Sequence, residues 1–281
     1  MFVPEAFLKQ LSCHYLKYGH NESPFVSFSI DNVLPNSFMV ENEHGNVVVK
    51  ASNAIQKADA HIIAGTHIEI AKLSHKHLAI KTADCLPIVF VYTDQNYFLG
   101  GITHAGWRGL TTQIITNTVK KLKTEATLIK IPENIFLQKL KVFIGPAIFG
   151  VSYECGSDVQ KALNKHKEIL FKNEENEFQE LFNLCANIKN DPILAQSIHF
   201  MTSTNTIFPD LQLLAAIECA SLKILPENIS IFRTNTYEHR ELPSFRASCH
   251  AAKPEQNKRL WTHLNLKIHS TKINSISPIE Y

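Results

Sequence analysis

Short runs rich in apolar, β-branched and aromatic residues recur along the chain, and such runs are typical of β-strands. The predicted strands span residues 25–30, 46–50, 78–82, 88–92, 98–103, 141–144 and 229–232. Helical spacing of apolar residues predicts helices near residues 110–124, 155–172 and 209–223. Because strands and helices alternate irregularly, the pattern disfavours a doubly wound βαβ sheet. Neither a GxGxxG nor a Walker sequence is present.

Two of the predicted strands end beside residues that can bind a metal. Segment 81–90 reads KTADCLPIVF and segment 101–110 reads GITHAGWRGL, so Cys85 follows one strand and His104 closes another. We therefore expect the two side chains to lie next to each other. The alternative is structural, with a buried cysteine and a packed histidine at a turn that the fold alone requires.

A glycine turn follows His104 and leads into the helix predicted from residue 110. Gly106 and Gly109 flank Trp107 and Arg108 in this turn. A glycine turn at the start of a helix exposes backbone N–H groups and the positive end of the helix dipole. Since Arg108 adds a guanidinium group, the segment favours binding of a phosphate.

The sequences TADCLP and HAGWRG closely resemble the multicopper polyphenol oxidase, or laccase-domain, family. The similarity continues through segments 143–159, 209–224 and 233–248, and it reaches from about residue 44 to about residue 266. This family is now regarded as one of metal-dependent purine nucleoside phosphorylases. The resemblance implies phosphorolysis of adenosine, inosine or methylthioadenosine, with deamination of adenosine as a second activity. The implied partners are therefore a purine nucleoside and phosphate.

The resemblance also implies a metal site. The third metal ligand of the family is a histidine in a Gln-x-His-Gly motif, which the sequence NEHG at residues 42–45 resembles. The implied ligands are His44, Cys85 and His104. Two imidazole nitrogens and one thiolate suit zinc and leave a fourth position for water or substrate. Copper accepts the same donors and is the alternative metal.

Four residues are expected to carry catalysis: Cys85, His104, Asp84 and Arg108. Arg108 would hold phosphate. Asp84 precedes a proposed ligand, so it is a candidate for orienting a ligand histidine or for moving protons during deamination. Because successive strand side chains point to opposite faces, a structural hydrogen bond is an equal alternative for Asp84.

The chain departs from the family pattern in several places. Asn42 stands where the family has Gln, Phe149 stands where a smaller residue is usual, and Arg233 occupies the family's Cys-Thr position. Family members also carry an Arg-containing, glycine-rich loop before the first ligand histidine, whereas residues 25–40 contain neither Gly nor Arg.

Three further hypotheses compete with the phosphorylase interpretation. Cys85 as a nucleophile and His104 as its base would form a metal-free thiol hydrolase, which would not need His44. Copper-dependent phenol oxidation follows from the older family name, although the several His-rich sites of a multicopper oxidase are absent from the sequence. A non-catalytic, metal-binding protein with a degraded pocket would explain the departures.

The resemblance implies an α+β fold, with mixed β-sheets packed face to face and helices outside, as a four-layer α/β/β/α sandwich. We expect one domain over residues 1–281, with a loosely attached tail at residues 269–281. The charged stretch within residues 165–190 is expected to form a solvated helix or a surface excursion.

Composition limits the classes of partner. The 281 residues are 44% hydrophobic, enough for a sizeable core, and the net charge of +2 does not favour nucleic acid. No apolar run reaches the roughly 18 residues of a membrane span. The first residues do not read as a signal peptide. Six cysteines without a CxxC pair favour a reduced, cytoplasmic protein. A homodimer is an ordinary state for such an enzyme, although no motif specifies one.

Overall fold

The computed structural model describes residues 11–14, 23–172, 177–187, 206–252 and 258–266. The strands are β1 (Ser12–His14), β2 (Val26–Ile30), β3 (Ser37–Glu41), β4 (Val48–Lys50), β5 (Gln56–Lys57), β6 (Ala60–Thr66), β7 (His77–Thr82), β8 (Leu86–Thr93), β9 (Tyr97–Ala105), β10 (Lys141–Ile144), β11 (Ile229–Phe232) and β12 (Leu260–Asn265). The helices are α1 (His67–Ala71), α2 (Trp107–Thr111), α3 (Ile114–Leu128), α4 (Glu133–Lys139), α5 (Ser157–Leu170), α6 (Glu177–Ala186), α7 (Leu211–Ser221) and α8 (Phe245–His250).

The strands form two mixed sheets. The larger sheet has the order β1-β11-β10-β8-β9-β6-β4, and the smaller has the order β2-β12-β7-β3-β5. In the larger sheet, β8 pairs antiparallel with β9 and β10, while β10 and β11 run parallel. In the smaller sheet, β7 is antiparallel to β12 and parallel to β3.

Strand β8 is buried on both faces, which explains its continuous apolar run. Ile88, Phe90 and Tyr92 face the helices, whereas Val89 and Val91 face the smaller sheet. Each such side chain contributes roughly 1.5–3 kcal/mol through burial. A Cβ at Gly100 of β9 would lie 2.6 Å from Leu264 of β12, so the glycine lets the two sheets approach closely.

Helices α3, α4 and α7 cover the outer face of the seven-stranded sheet. Helix α7 is buried along nearly its whole length, from Leu211 to Ala220. Asp210 caps this helix by accepting from Leu213 N at 3.1 Å. Among the described residues, no helix is long and apolar enough to cross a membrane.

The α+β class, with two mixed sheets packed face to face and helices outside, is confirmed. All seven predicted strands are present. The helix predicted over residues 110–124 is instead two helices, α2 and α3, because Gln113 adopts a left-handed backbone with φ of 70° between them. The charged stretch includes α6, whose Leu181, Phe182 and Cys185 are buried, so this helix is not purely a surface element. The tail at 269–281 lies outside the described residues.

Candidate metal centre

Three residues that are distant in sequence converge at one end of the two sheets. Cys85 immediately precedes β8, and the β8–β9 register places Pro87 opposite His104. His44 lies in the loop between β3 and β4, in a left-handed conformation with φ of 59°. The potential ligand atoms of His44, Cys85 and His104 all lie within 4.8 Å of one another. The two imidazole rings meet edge to face, with centroids 4.8 Å apart.

Asp59 organises the loop that carries His44. Its buried carboxylate accepts backbone N–H bonds from Glu43 at 3.3 Å, His44 at 2.9 Å and Gly45 at 2.7 Å. It also accepts from His104 Nδ1 at 2.8 Å. One carboxylate therefore contacts two of the three ligand residues. Burial opposes ionisation, but the hydrogen bonds from His104 and the loop lower the pKa of Asp59.

The contact with Asp59 leaves Nε2 of His104 available to a metal, as is usual for ligand histidines with a carboxylate partner. In the metal-free chain, burial opposes the charged imidazolium, yet hydrogen bonds to Asp59 and Cys85 raise the pKa of His104 to about 9. Burial raises the pKa of the Cys85 thiol, but hydrogen bonds with His104 and His44 bring it to about 7. The centre therefore favours a thiolate, which is the form that binds metals.

The glycine turn serves close approach rather than a special backbone conformation. A Cβ at Gly106 would lie 2.8 Å from Cys85 Sγ, and a Cβ at Gly109 would lie 3.1 Å from the carbonyl oxygen of Gly45. Helix α2, which follows the turn, has only five residues. The long helix whose N-terminus was expected to favour phosphate is therefore replaced by a single short turn.

A cavity of about 440 Å³ opens on the three ligand residues. Its lining includes four cationic side chains and three aromatic side chains: Lys81, Arg108, Arg246, Arg259, Trp107, Tyr153 and Phe245. The exposed Arg108 stacks on Trp107, with its guanidinium carbon 4.5 Å from the ring centre. Among the described residues that line the cavity, Asp84 is the only carboxylate, so the four cationic side chains give this lining a positive charge.

Asp84 lies beside Cys85, but it does not contact a ligand histidine. Its carboxylate accepts from Thr236 Oγ1 and from Arg246 N, each at 2.7 Å. The carboxylate that contacts His104 belongs to Asp59, for which the sequence predicted no role. Asp59 stands directly before β6, and the register Ala60↔Thr103 places it beside His104.

Two of the departures from the family pattern contact each other. The guanidinium carbon of Arg233 lies 3.8 Å from the centre of the Phe149 ring. Arg233 also forms an ion pair with Asp210 and donates to Gln212 Oε1 at 2.9 Å. Neither Phe149 nor Arg233 lines the cavity, whereas Asn42 does. Asn42 donates through its side-chain amide to the backbone oxygen of Lys81 at 2.8 Å.

Comparison with known proteins gives a family match across most of the chain. A family model described as multi-copper polyphenol oxidoreductase laccase matches residues 28–253. A purine nucleoside phosphorylase from Xylella fastidiosa (strain 9a5c) is 33% identical over 119 residues, covering 42% of this chain and 41% of that protein. One from Rickettsia conorii is 31% identical over 122 residues, covering 42% of each chain. The chain thus matches about two fifths of the length of these relatives.

Solved structures share the fold. YlmD from Geobacillus stearothermophilus gives a TM-score of 0.59 at 20% identity and covers 82% of this chain and 73% of its own. The hypothetical protein YfiH from Bacillus licheniformis gives a TM-score of 0.56 at 14% identity, covering 82% and 74%. The matched region 28–253 includes His44, Cys85 and His104. The chain therefore belongs to the multi-copper polyphenol oxidoreductase laccase family.

Proposed function

We propose that this protein is a zinc-dependent purine nucleoside phosphorylase that cleaves adenosine or inosine with phosphate. The observation that carries the proposal is the convergence of His44, Cys85 and His104 on a cavity with cationic and aromatic walls. The relatives named purine nucleoside phosphorylase support the reaction class.

The donor set fits a catalytic zinc site. His44, Cys85 and His104 supply two nitrogens and one sulfur, and Asp59 fixes the ring of His104. Zinc held by these three residues would supply a Lewis acid to the cavity. The same three residues also accept copper, which is the alternative metal.

The cationic wall suits the phosphate. Lys81, Arg108 and Arg259 reach the cavity from three different parts of the chain. In phosphorolysis, a phosphate oxygen bonds to the anomeric carbon as the glycosidic C–N bond breaks. The departing base keeps the electron pair and takes the proton that hydrogen phosphate gives up. Because the sugar becomes cation-like in the transition state, the placement of the anionic nucleophile is the main task of these side chains.

The aromatic wall suits the purine. Phe245 is 52% exposed although it is a large apolar side chain, and it lines the cavity with Trp107 and Tyr153. Base stacking on such rings contributes about 1–3 kcal/mol. We therefore place the nucleobase against this wall, with the phosphate on the cationic side.

The structure bears on the alternatives. A thiol hydrolase requires only Cys85 and His104, yet the Asp59 carboxylate fixes the loop that brings His44 to the same point. Of the departures that suggested a degraded pocket, Phe149 and Arg233 do not line the cavity, whereas Asn42 does. Residues 25–40 contain no Arg, and cations line the cavity at Lys81 and Arg259.

The test is metal analysis followed by product analysis of adenosine, with and without phosphate, on the same preparation. We expect about one zinc per chain, and adenine with ribose 1-phosphate only when phosphate is present. Inosine formed without phosphate would indicate deamination instead. Bound zinc without turnover would support the non-catalytic hypothesis, and a metal-free but reactive Cys85 would support the thiol hydrolase.

A further inference from the structure

We propose that Asp84 is a positioning residue, which holds the first turn of α8, and with it Phe245 and Arg246, against the cavity beside Cys85. The inference rests on the proposed function for its kinetic readout, whereas its structural readout is independent of any activity. It gives the carboxylate next to the metal centre a role other than proton transfer.

Both oxygens of the Asp84 carboxylate have partners. Oδ1 accepts from Thr236 Oγ1 and Oδ2 accepts from Arg246 N, each at 2.7 Å. The Arg246 amide lies in the first turn of α8, where backbone N–H groups have no partner within the helix. A carboxylate at this position satisfies such a donor and complements the positive end of the helix.

The backbone of Asp84 also makes a hydrogen bond beside the cavity. Its carbonyl oxygen accepts from Ile148 N at 3.0 Å, and Ile148 also lines the cavity. Thr236, which donates to the Asp84 carboxylate, bonds through its own backbone N–H to Ala147 O at 3.1 Å. Asp84 therefore connects the segment before β8 with three other segments, which carry Ile148, Thr236 and Arg246.

The side chains of the first turn of α8 need such a support. Phe245 is 52% exposed, so packing in the core does not fix its position. Its position follows from the backbone of α8, which is held by the Ser244 cap on Ala247 N at 3.1 Å and by Asp84. Arg246 extends from the same turn and donates through both terminal nitrogens to Glu154 O at 3.2 Å.

Two substitutions separate positioning from proton transfer. In Asp84→Asn, the amide oxygen can accept from Arg246 N, and the amide nitrogen can donate to the Thr236 hydroxyl, which also accepts hydrogen bonds. Both contacts are kept while the titratable group is lost. Asp84→Gly removes both contacts without backbone strain, because φ at residue 84 is 82° and glycine adopts this region readily.

The experiment combines three measurements on each variant: hydrogen exchange of the peptide covering residues 244–250, metal content, and kcat/KM for adenosine at saturating phosphate. For Asp84→Gly we expect faster exchange of this peptide, retained metal and a loss of at least about tenfold in kcat/KM, mainly through KM. For Asp84→Asn we expect exchange like that of the wild type and kcat/KM within about threefold of it. Asn36→Gly is the matched control, because Asn36 is exposed, has φ of 59° and does not line the cavity.

Two results would overturn the inference. Loss of turnover in Asp84→Asn with unchanged exchange at 244–250 would assign proton transfer to Asp84. Unchanged exchange in Asp84→Gly would show that Asp84 does not hold α8. If the wild-type protein does not phosphorolyse nucleosides, the proposed function fails on its own, and the exchange data still decide the positioning role.

Discussion

The Asp59 carboxylate and the His104 imidazole form a buried pair, with Oδ1 and Nδ1 2.8 Å apart and side-chain exposures of 1% and 3%. The same carboxylate also binds the backbone of the loop that carries His44. One acidic side chain thus links His44 and His104, two candidate metal ligands from different parts of the chain. Metal affinity should therefore depend on a residue that does not itself bind the metal.

Asp59→Asn should lower metal affinity by about 10–100-fold, the usual effect of removing such a partner of a ligand histidine. An asparagine also turns an amide N–H₂ toward backbone donors that now face a carboxylate, so the His44 loop loses hydrogen bonds as well. The measurement is a competition titration of zinc against a chelator of known affinity. Glu227→Gln removes an exposed charge away from the cavity and should leave affinity unchanged. Equal affinity of Asp59→Asn and the wild type would contradict this role.

Single substitutions of His44, Cys85 or His104 by Ala should each abolish stoichiometric zinc and phosphorolysis together, because two ligands do not hold catalytic zinc. Metal content by mass spectrometry and adenine release report the two effects. His75→Ala and Cys249→Ala are matched controls, since both residues are exposed and neither lines the cavity. A hydrolytic activity that is kept in His44→Ala but lost in Cys85→Ala and His104→Ala would favour the thiol hydrolase instead.

The part of the site predicted from sequence is the part set by neighbouring strands. The expectation that Cys85 and His104 lie close together used the strands at 78–82 and 98–103, which are β7 and β9 of different sheets. The two residues meet because Cys85 also precedes β8, which pairs antiparallel with β9. His44 and Asp59 meet through a loop with a left-handed residue, and no periodic pattern encodes that contact. His44 was predicted as a ligand from the family resemblance, whereas no role was predicted for Asp59.

The fold likewise divides into elements that the sequence pattern predicted and elements that it did not. Strands β8 and β10 carry continuous apolar or β-branched runs and were predicted. Strand β12 was not, because Thr262 on one face and the fully buried His263 on the other read as polar positions in the sequence. The break between α2 and α3 depends on the positive φ of Gln113. Glutamine rarely adopts positive φ, so its residue type did not predict the break.

Gly106→Ala should weaken metal binding although its backbone conformation is open to alanine, with φ of −73°. The added Cβ would lie 2.8 Å from Cys85 Sγ, so either the thiolate or the α2 turn must move. We expect a loss of metal affinity and activity of about tenfold or more, since shifts near 1 Å at a site have effects of this size. Zinc titration with activity assay checks both. Gly156→Ala is the control, because its Cβ would meet only the flexible end of Asp158 at 3.2 Å. Equal losses of metal affinity in the two variants would contradict the steric explanation.

Arg108→Ala and Lys81→Ala should leave zinc bound and raise KM for phosphate, by roughly tenfold for each charge that contacts the anion. The KM for adenosine should change much less. Lys120→Ala removes a cation that is exposed and does not line the cavity, so it should alter neither constant. Initial rates over a matrix of phosphate and adenosine concentrations separate the two constants. If the KM for phosphate is unchanged in both cavity variants, the anion binds at Arg246 or Arg259 instead.

The free energy of unfolding should fall as pH decreases from about 6.5 toward 4, because two buried histidines resist protonation in the folded chain. Burial lowers the pKa of His61 from 6.5 to about 4. Burial, with a contribution from His77, lowers the pKa of His263 from 6.5 to about 4. Below pH 6.5 the unfolded chain binds these protons and the folded chain does not, so unfolding becomes easier as pH falls. Each histidine accounts for about 3 kcal/mol across the whole window.

His263→Gln tests this assignment. The glutamine oxygen can accept from Leu34 N, as His263 Nε2 does at 3.1 Å, but it cannot titrate. Urea unfolding at pH 7, 6, 5 and 4.5 in the presence of a chelator should give a pH slope that is smaller than that of the wild type by close to one proton. His75→Gln, at an exposed position, should keep the wild-type slope. A wild-type slope in His263→Gln would show that acid destabilisation has its source in other groups.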